Sequence, residues 1–218
     1  MKVTKHNFTI PCVSIDNFIP SVPLLRAASE GFDDIFFDDW VAYNKEDHNQ
    51  IQYCTKLTTK IPHATQLVLD YIATNLNPDS IFNLNTKAFP DISHYGGGLM
   101  ITPNSKNEGG YLGMHVDAAI HGRHDDWKRE YSAVLCVSEE YDSSFDLLLH
   151  DGQDHIRLPY KFNRLNIFKC GENSWHGFPE ISKGLDRKAL GVMYWSKLSE
   201  QDKAKTFVKA QFNNNLPF

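Results

Sequence analysis

His115 and Asp117 stand two residues apart in the run Gly109-Gly-Tyr-Leu-Gly-Met-His-Val-Asp117. In an extended strand successive side chains point to opposite faces, so residues two apart share one. An imidazole and a carboxylate side by side make two-thirds of a metal site. A third ligand is available in His176, which follows the strand-like run Asn163–Cys170 and precedes a Pro-containing turn. Arg187 then heads the run Arg187–Trp195. If the two runs form an antiparallel hairpin, His176 and Arg187 meet across it.

Two histidines and one carboxylate on one face of an octahedron hold non-haem iron(II) and leave positions open for a bidentate 2-oxo acid and dioxygen. Zinc hydrolases also use three protein ligands, but they need a general base and no neighbouring arginine. An arginine in a dry site forks onto a carboxylate. A surface arginine paired with Asp186 or Glu180, or Lys188 as the anchor instead, are the competing readings. Alternation places Arg187, Ala189, Gly191 and Met193 on one face and Lys188, Leu190, Val192 and Tyr194 on the other. The small residues around a long arginine fit a cavity wall.

These residues need rigid elements to hold them. Ser21, Pro23 and Gly31 bracket a short helix over 22–29. Pro62 opens a longer one, with Ala64, Leu67, Val68, Tyr71, Ile72 and Leu76 as its buried stripe and Asn77-Pro-Asp79 as its stop. The apolar period then becomes two, which predicts strands near 83–89, 93–102, 111–118, 131–138, 145–150, 155–158, 163–170 and 187–195. Ser199 starts a C-terminal helix over 199–211. The expected fold is α+β, mainly β: a double-stranded β-helix (jelly roll) over 83–196, supported by N-terminal helices within 1–82 and by the C-terminal helix, all in one domain over 1–218. The segments 32–56 and 103–110 are the expected specificity elements.

Composition narrows the partners. The chain of 218 residues carries a net charge of −5 and no Lys/Arg-rich block, which speaks against a nucleic-acid backbone as partner. No apolar stretch approaches the ~20 residues of a membrane span, and Met1–Asn7 leads into no long apolar run, so a cytoplasmic location is expected. Cys12, Cys54, Cys136 and Cys170 lack CxxC spacing and read as reduced, buried thiols. His121-Gly-Arg-His124-Asp-Asp126 has the residue types of a second metal site, but its glycine and charge favour a solvated loop at the rim. Gly96-Gly-Gly98 has no helix after it to make a phosphate cradle and reads as a bulge or loose turn. Trp40, Tyr43, Tyr53 and the Phe cluster at 32–37 read as core and edge packing rather than a substrate platform.

Together, His115-x-Asp117, His176 and Arg187 resemble the 2-oxoglutarate/Fe(II)-dependent dioxygenases, most closely the prolyl 4-hydroxylase-like branch. Gly109–Asp117 is similar to that branch's glycine-containing approach to HxD, and Arg129 with Tyr131–Val137 to its Arg-led strand. Phe162–Phe168 resembles its "DRLLFF" strand, and Arg187–Tyr194 its "RxAxxxxY" strand. The resemblance spans about residues 86–212. It implies Fe(II) on His115, Asp117 and His176, 2-oxoglutarate with its far carboxylate on Arg187, O2, and ascorbate as a supporting reductant. Because Asp117 is present, where halogenating relatives lack the carboxylate, it implies hydroxylation of a C–H bond with release of succinate and CO2. The substrate it implies is a prolyl or other amino-acid residue of a peptide or protein, or a small molecule. A non-catalytic barrel binding metal or 2-oxo acid, as a sensor or interaction module, is the alternative. The sequence departs from the branch where a tyrosine often lies near the cosubstrate carboxylate: the counterparts here fall at Ile101-Thr102 and Cys136.

Overall fold

The computed structural model describes residues 1–43, 50–104, 109–117, 120–182, 184–199, 210–213 and 215–216. The chain opens with two antiparallel strands, β1 (Lys2–Lys5) and β2 (Cys12–Asp16). Helix α1 (Val22–Glu30) follows, with the Ser21 hydroxyl accepting from Leu24 N. A hairpin of β3 (Trp40–Tyr43) and β4 (Gln50–Thr55) precedes α2 (His63–Asn75) and the short α3 (Pro78–Phe82). Strands β5 (Phe89–Pro90), β6 (Gly98–Thr102), β7 (Tyr111–Val116), β8 (Ile120–His121) and β9 (His124–Cys136) come next. The chain continues through β10 (Leu147–His150), β11 (His155–Leu158), β12 (Arg164–Lys169), β13 (Trp175–Phe178) and β14 (Arg187–Lys197) to β15 (Gln211–Phe212).

The hydrogen-bonded order is β1-β2-β12-β9-β14-β6-β4-β7-β13-β10-β11. Strand β4 is the seam: it pairs with β6 on one side of the curl and with β7 on the other. The result is the expected jelly roll, a curled antiparallel sheet whose two halves enclose an interior. Period-two alternation sorts its side chains into two cores. Leu190, Val192 and Tyr194 of β14, with Leu165 and Ile167 of β12, face outward onto Val68, Leu69 and Ile72 of α2. Ala189 and Phe168, on the opposite faces, turn inward with Phe145, Leu149 and Phe178.

Several expectations shift. The stripe of α2 is Thr65, Val68, Leu69 and Ile72, while Leu67 is 42% exposed, so the helix is rotated by part of a turn from the sequence reading. Asn77 does stop α2, but it also caps α3 by accepting from Ser80 N. The strand expected over 83–89 reduces to Phe89–Pro90, because Asn83 and Lys87 adopt left-handed backbone that breaks a ladder. The N-terminal support is not only helical: residues 1–82 add four strands, and β2 lengthens the main sheet along β12. Residues 200–209 of the expected C-terminal helix lie outside the described residues, as does the loop at 44–49. Gln211, assigned to that helix, instead belongs to β15, which pairs with β7.

The pairing of β7 with β13 is irregular. His115 pairs with His176, and Leu112 with Phe178, so three steps along β7 match two along β13. This bulge brings both Leu112 and His115 to the interior. Gly177 sits at the irregularity: a Cβ there would lie 2.5 Å from the carbonyl oxygen of Leu112. Gly177→Ala is therefore expected to force the two strands apart and cost about 1–3 kcal/mol. A thermal melt should show a drop of roughly 2–12 °C, and an unchanged melt would refute the close packing.

Candidate active site

The structure brings the sequence's candidates together, though not by the expected hairpin. His176 lies on a strand of its own, β13, in the half of the roll containing β7. Arg187 lies on β14 in the other half, paired with β6 and β9. The strand before His176, β12, pairs with β2 and β9 rather than β14. His176 and Arg187 thus face one interior from different walls.

One ligand atom from each of His115, Asp117 and His176 lies within 4.8 Å of the others. The imidazole Nε2 atoms stand 3.6 Å (His115) and 3.7 Å (His176) from the Asp117 carboxylate oxygens. Each ring's other nitrogen donates to a backbone carbonyl: His115 Nδ1 to Gly113 at 2.9 Å and His176 Nδ1 to Ser174 at 3.0 Å. A carbonyl can only accept, so Nδ1 holds the proton and Nε2 presents its lone pair to the common point. Burial, with His115 close by, pushes the His176 pKa down to about 4, so the imidazole is neutral near pH 7. Burial alone would raise the Asp117 pKa, but Arg129 and the two histidines outweigh it and hold the carboxyl well below its usual range. A neutral His176 imidazole and an ionised Asp117 carboxylate are the states in which these two groups can bind a divalent metal.

Arg129 orients the carboxylate. Its Nη1 lies 2.9 Å from Asp117 Oδ2, and Ser132 Oγ donates to the same oxygen at 3.1 Å. The guanidinium packs 4.9 Å from the Trp195 ring centre and against Gly96, where a Cβ would come within 2.6 Å of Nη2. Gly96, at φ +69°, thus belongs to a close-packed turn that covers Arg129, more constrained than a loose turn. In the sequence Arg129 was legible only as the head of a strand. Its tie to Asp117 depends on a twelve-residue excursion through β8.

Arg187 is 3% exposed. Its Nε donates to the Phe145 carbonyl at 3.1 Å, and its guanidinium carbon lies 3.8 Å from the Tyr160 ring centre and 4.2 Å from that of Phe178. Among the described residues no carboxylate pairs with it. The surface reading fails, since Asp186 instead accepts from Asn104. Lys188 points to the other face, where it pairs with Asp33. Burial lowers the arginine's pKa, but the group keeps its charge.

All four residues line a cavity of about 850 Å3, within the size range of small-molecule sites. The expected specificity segment at 32–56 reaches it through Val41, Gln50, Gln52 and Cys54; of the segment at 103–110, residues 105–108 lie outside the described residues. Phe212 of β15 closes one side, its ring stacked on His115 at 5.3 Å. In the His121 motif Gly122, Arg123, His124 and Asp125 are exposed, as expected of a solvated turn, but His121 itself is not. His121 is 2% exposed, donates from Nε2 to Asp91 at 3.1 Å and accepts at Nδ1 from Arg123 N, so it braces the β8–β9 hairpin. Among the described residues His115, Asp117 and His176 form the one group suited to a metal. All four cysteines are free, with Cys54 partly buried and the others buried. Phe32 packs on Trp40 as expected, whereas Phe36 and Phe37 are exposed. Among the described residues no helix is long and apolar enough to cross a membrane.

Comparison with known proteins agrees with this geometry. Residues 99–195, which contain all four candidate residues, match the 2OG-Fe(II) oxygenase superfamily. No significant match is found among curated proteins. Among solved structures, a prolyl-4-hydroxylase from Pseudomonas putida superposes with a TM-score of 0.57 at 16% identity, over 87% of this chain and 94% of that one. A prolyl hydroxylase from Trichoplax adhaerens, in complex with a hypoxia inducible factor oxygen degradation domain peptide fragment, gives 0.56 at 14% identity over 89% and 86%. The viral collagen prolyl hydroxylase of Paramecium Bursaria Chlorella virus-1, as a 2OG complex, gives 0.53 at 12% over 85% and 96%. Residues 99–195 thus resemble the 2OG-Fe(II) oxygenase superfamily, and the chain as a whole shares the fold of these prolyl hydroxylases.

Proposed function

We propose that His115, Asp117 and His176 hold Fe(II), that Arg187 holds the far carboxylate of 2-oxoglutarate, and that the protein hydroxylates an unactivated C–H bond of a prolyl or other amino-acid residue. The observation that carries this reading is the pairing, in one cavity, of a preformed His-Asp-His donor set with a buried arginine that lacks a carboxylate partner among the described residues. When bound, Fe(II) with 2-oxoglutarate and O2 supplies the oxidising chemistry: one oxygen atom goes to the substrate carbon and the other to succinate, with loss of CO2.

The chain's own part is to orient and to exclude water. Backbone carbonyls of Gly113 and Ser174 fix the imidazole tautomers, and Arg129 with Ser132 fixes the carboxylate. Arg187 offers a fixed cation at the far end, its ring neighbours keeping water from its faces. Tyr95, Gly96 and Lys56 also line the cavity and are available to the substrate. The single-domain organisation and the cytoplasmic location remain part of this proposal.

The test is succinate formation from 2-oxoglutarate with Fe(II) and ascorbate, together with mass spectrometry of a peptide library. Expected is stoichiometric succinate with a shift of about +16 Da, one oxygen atom, on one peptide class. Metal and 2-oxoglutarate binding without turnover on any peptide or small molecule would instead favour a sensor.

A further inference from the structure

Strand β4 lies outside the segment that matches the superfamily, yet it places two amides in the cavity. Gln50 and Gln52, two residues apart, share a face of the strand. They are 8% and 7% exposed. Among the described residues neither side-chain amide makes a hydrogen bond, and both line the cavity. Both therefore direct donors and acceptors into the void.

The register locates them. β4 pairs with β6 through Tyr53↔Ile101, which sets Gln52 level with Thr102. Thr102 pairs with Arg187. On the other side Gln50 pairs with Leu112, whose own partner on β13 is Phe178, the ring beneath the Arg187 guanidinium. Both halves of the roll thus bring the glutamines to the arginine end of the cavity. Thr102 Oγ1, buried without a hydrogen-bond partner among the described residues, is a further neutral group near this end, whereas the remaining ones are committed. Tyr160 OH bonds the carbonyls of Leu135 and Lys188, and the Cys136 thiol those of Ser138 and Tyr160. Arg187 itself has given its Nε to Phe145, leaving two terminal nitrogens. A carboxylate has about four lone-pair sites, so those two nitrogens leave some of them for other donors.

We propose that Gln50 and Gln52 are the neutral partners of Arg187 and donate their amide N–H groups to the far carboxylate of the cosubstrate. This rests on the function proposed above. One cation matches one carboxylate charge, and uncharged donors fill the remaining lone pairs without a second buried charge.

Calorimetric binding of 2-oxoglutarate to the Mn(II)-loaded protein tests it without turnover. Gln50→Leu and Gln52→Leu should each raise Kd about tenfold, the usual range for a hydrogen bond to a charged group. Mn(II) affinity should stay unchanged. Binding of 2-oxobutyrate, which lacks the far carboxylate, should also be unaffected. Gln52→Glu, nearly isosteric, keeps the fold if the leucine variants lose it and should raise Kd by more than tenfold through like-charge repulsion. If Arg187→Met weakens 2-oxoglutarate binding but every glutamine variant binds normally, the inference is wrong while the functional reading stands. A glutamine variant that alters only the KM of the oxidised substrate overturns it equally. No 2-oxoglutarate binding by the wild type would overturn the functional reading itself.

Discussion

His176→Ala is expected to abolish succinate formation and to weaken Co(II) or Mn(II) binding by more than the roughly 10–100-fold that loss of an outer hydrogen-bond partner brings. The remaining pair, His115 and Asp117, forms the short arm of the set, both near the end of β7. Losing His176 removes the only one of the three ligands carried by β13. The imidazole also packs against Phe168 at 4.7 Å, so the truncation leaves a gap and costs some stability. Calorimetry with the metal separates the two effects, because a folded variant that binds metal normally would remove His176 from the ligand set. Arg129→Met should give a milder phenotype of the same kind: Asp117 loses its ionic partner but keeps Ser132.

Arg187→Met should raise the KM for 2-oxoglutarate by roughly 30-fold or more, since breaking a buried, hydrogen-bonded charge pair costs about 2–5 kcal/mol. Methionine keeps much of the apolar stem that lies between Tyr160 and Phe178, so the fold should persist. Arg187→Lys restores charge but not the planar fork and should recover only part of the affinity. Metal binding in both variants should match the wild type. An Arg187→Met enzyme with normal KM would show that the cosubstrate's far end lies elsewhere.

The site was more legible than the fold around it. His115-x-Asp117 needs only strand alternation to share a face, and the alternation Arg187, Ala189, Gly191, Met193 against Lys188, Leu190, Val192, Tyr194 separates the cavity wall from the helix-packed face as expected. What escaped was set by pairing between distant segments. β1 is exposed throughout, so no apolar pattern announces it, and only its ladder with β2 makes it a strand. His176 reads as part of a turn because Pro179 follows so closely; its four-residue strand exists because β10 and β7 flank it. The tie between Arg129 and Asp117 and the cavity face of β4 likewise depend on contacts that no local period encodes. His121 looked solvated because charges surround it in sequence, whereas Asp91, thirty residues earlier, supplies its buried partner.

The unequal step count between β7 and β13 works like a vernier. Three residues on one scale are read against two on the other, and the lines coincide only where His115 meets His176. Removing one residue from Gly113-Met114 would bring the scales into ordinary step: Leu112 and His115, then two apart, would share the interior face by alternation alone, without the bulge. A family of length variants at this point, each assayed for metal uptake, would read that scale directly.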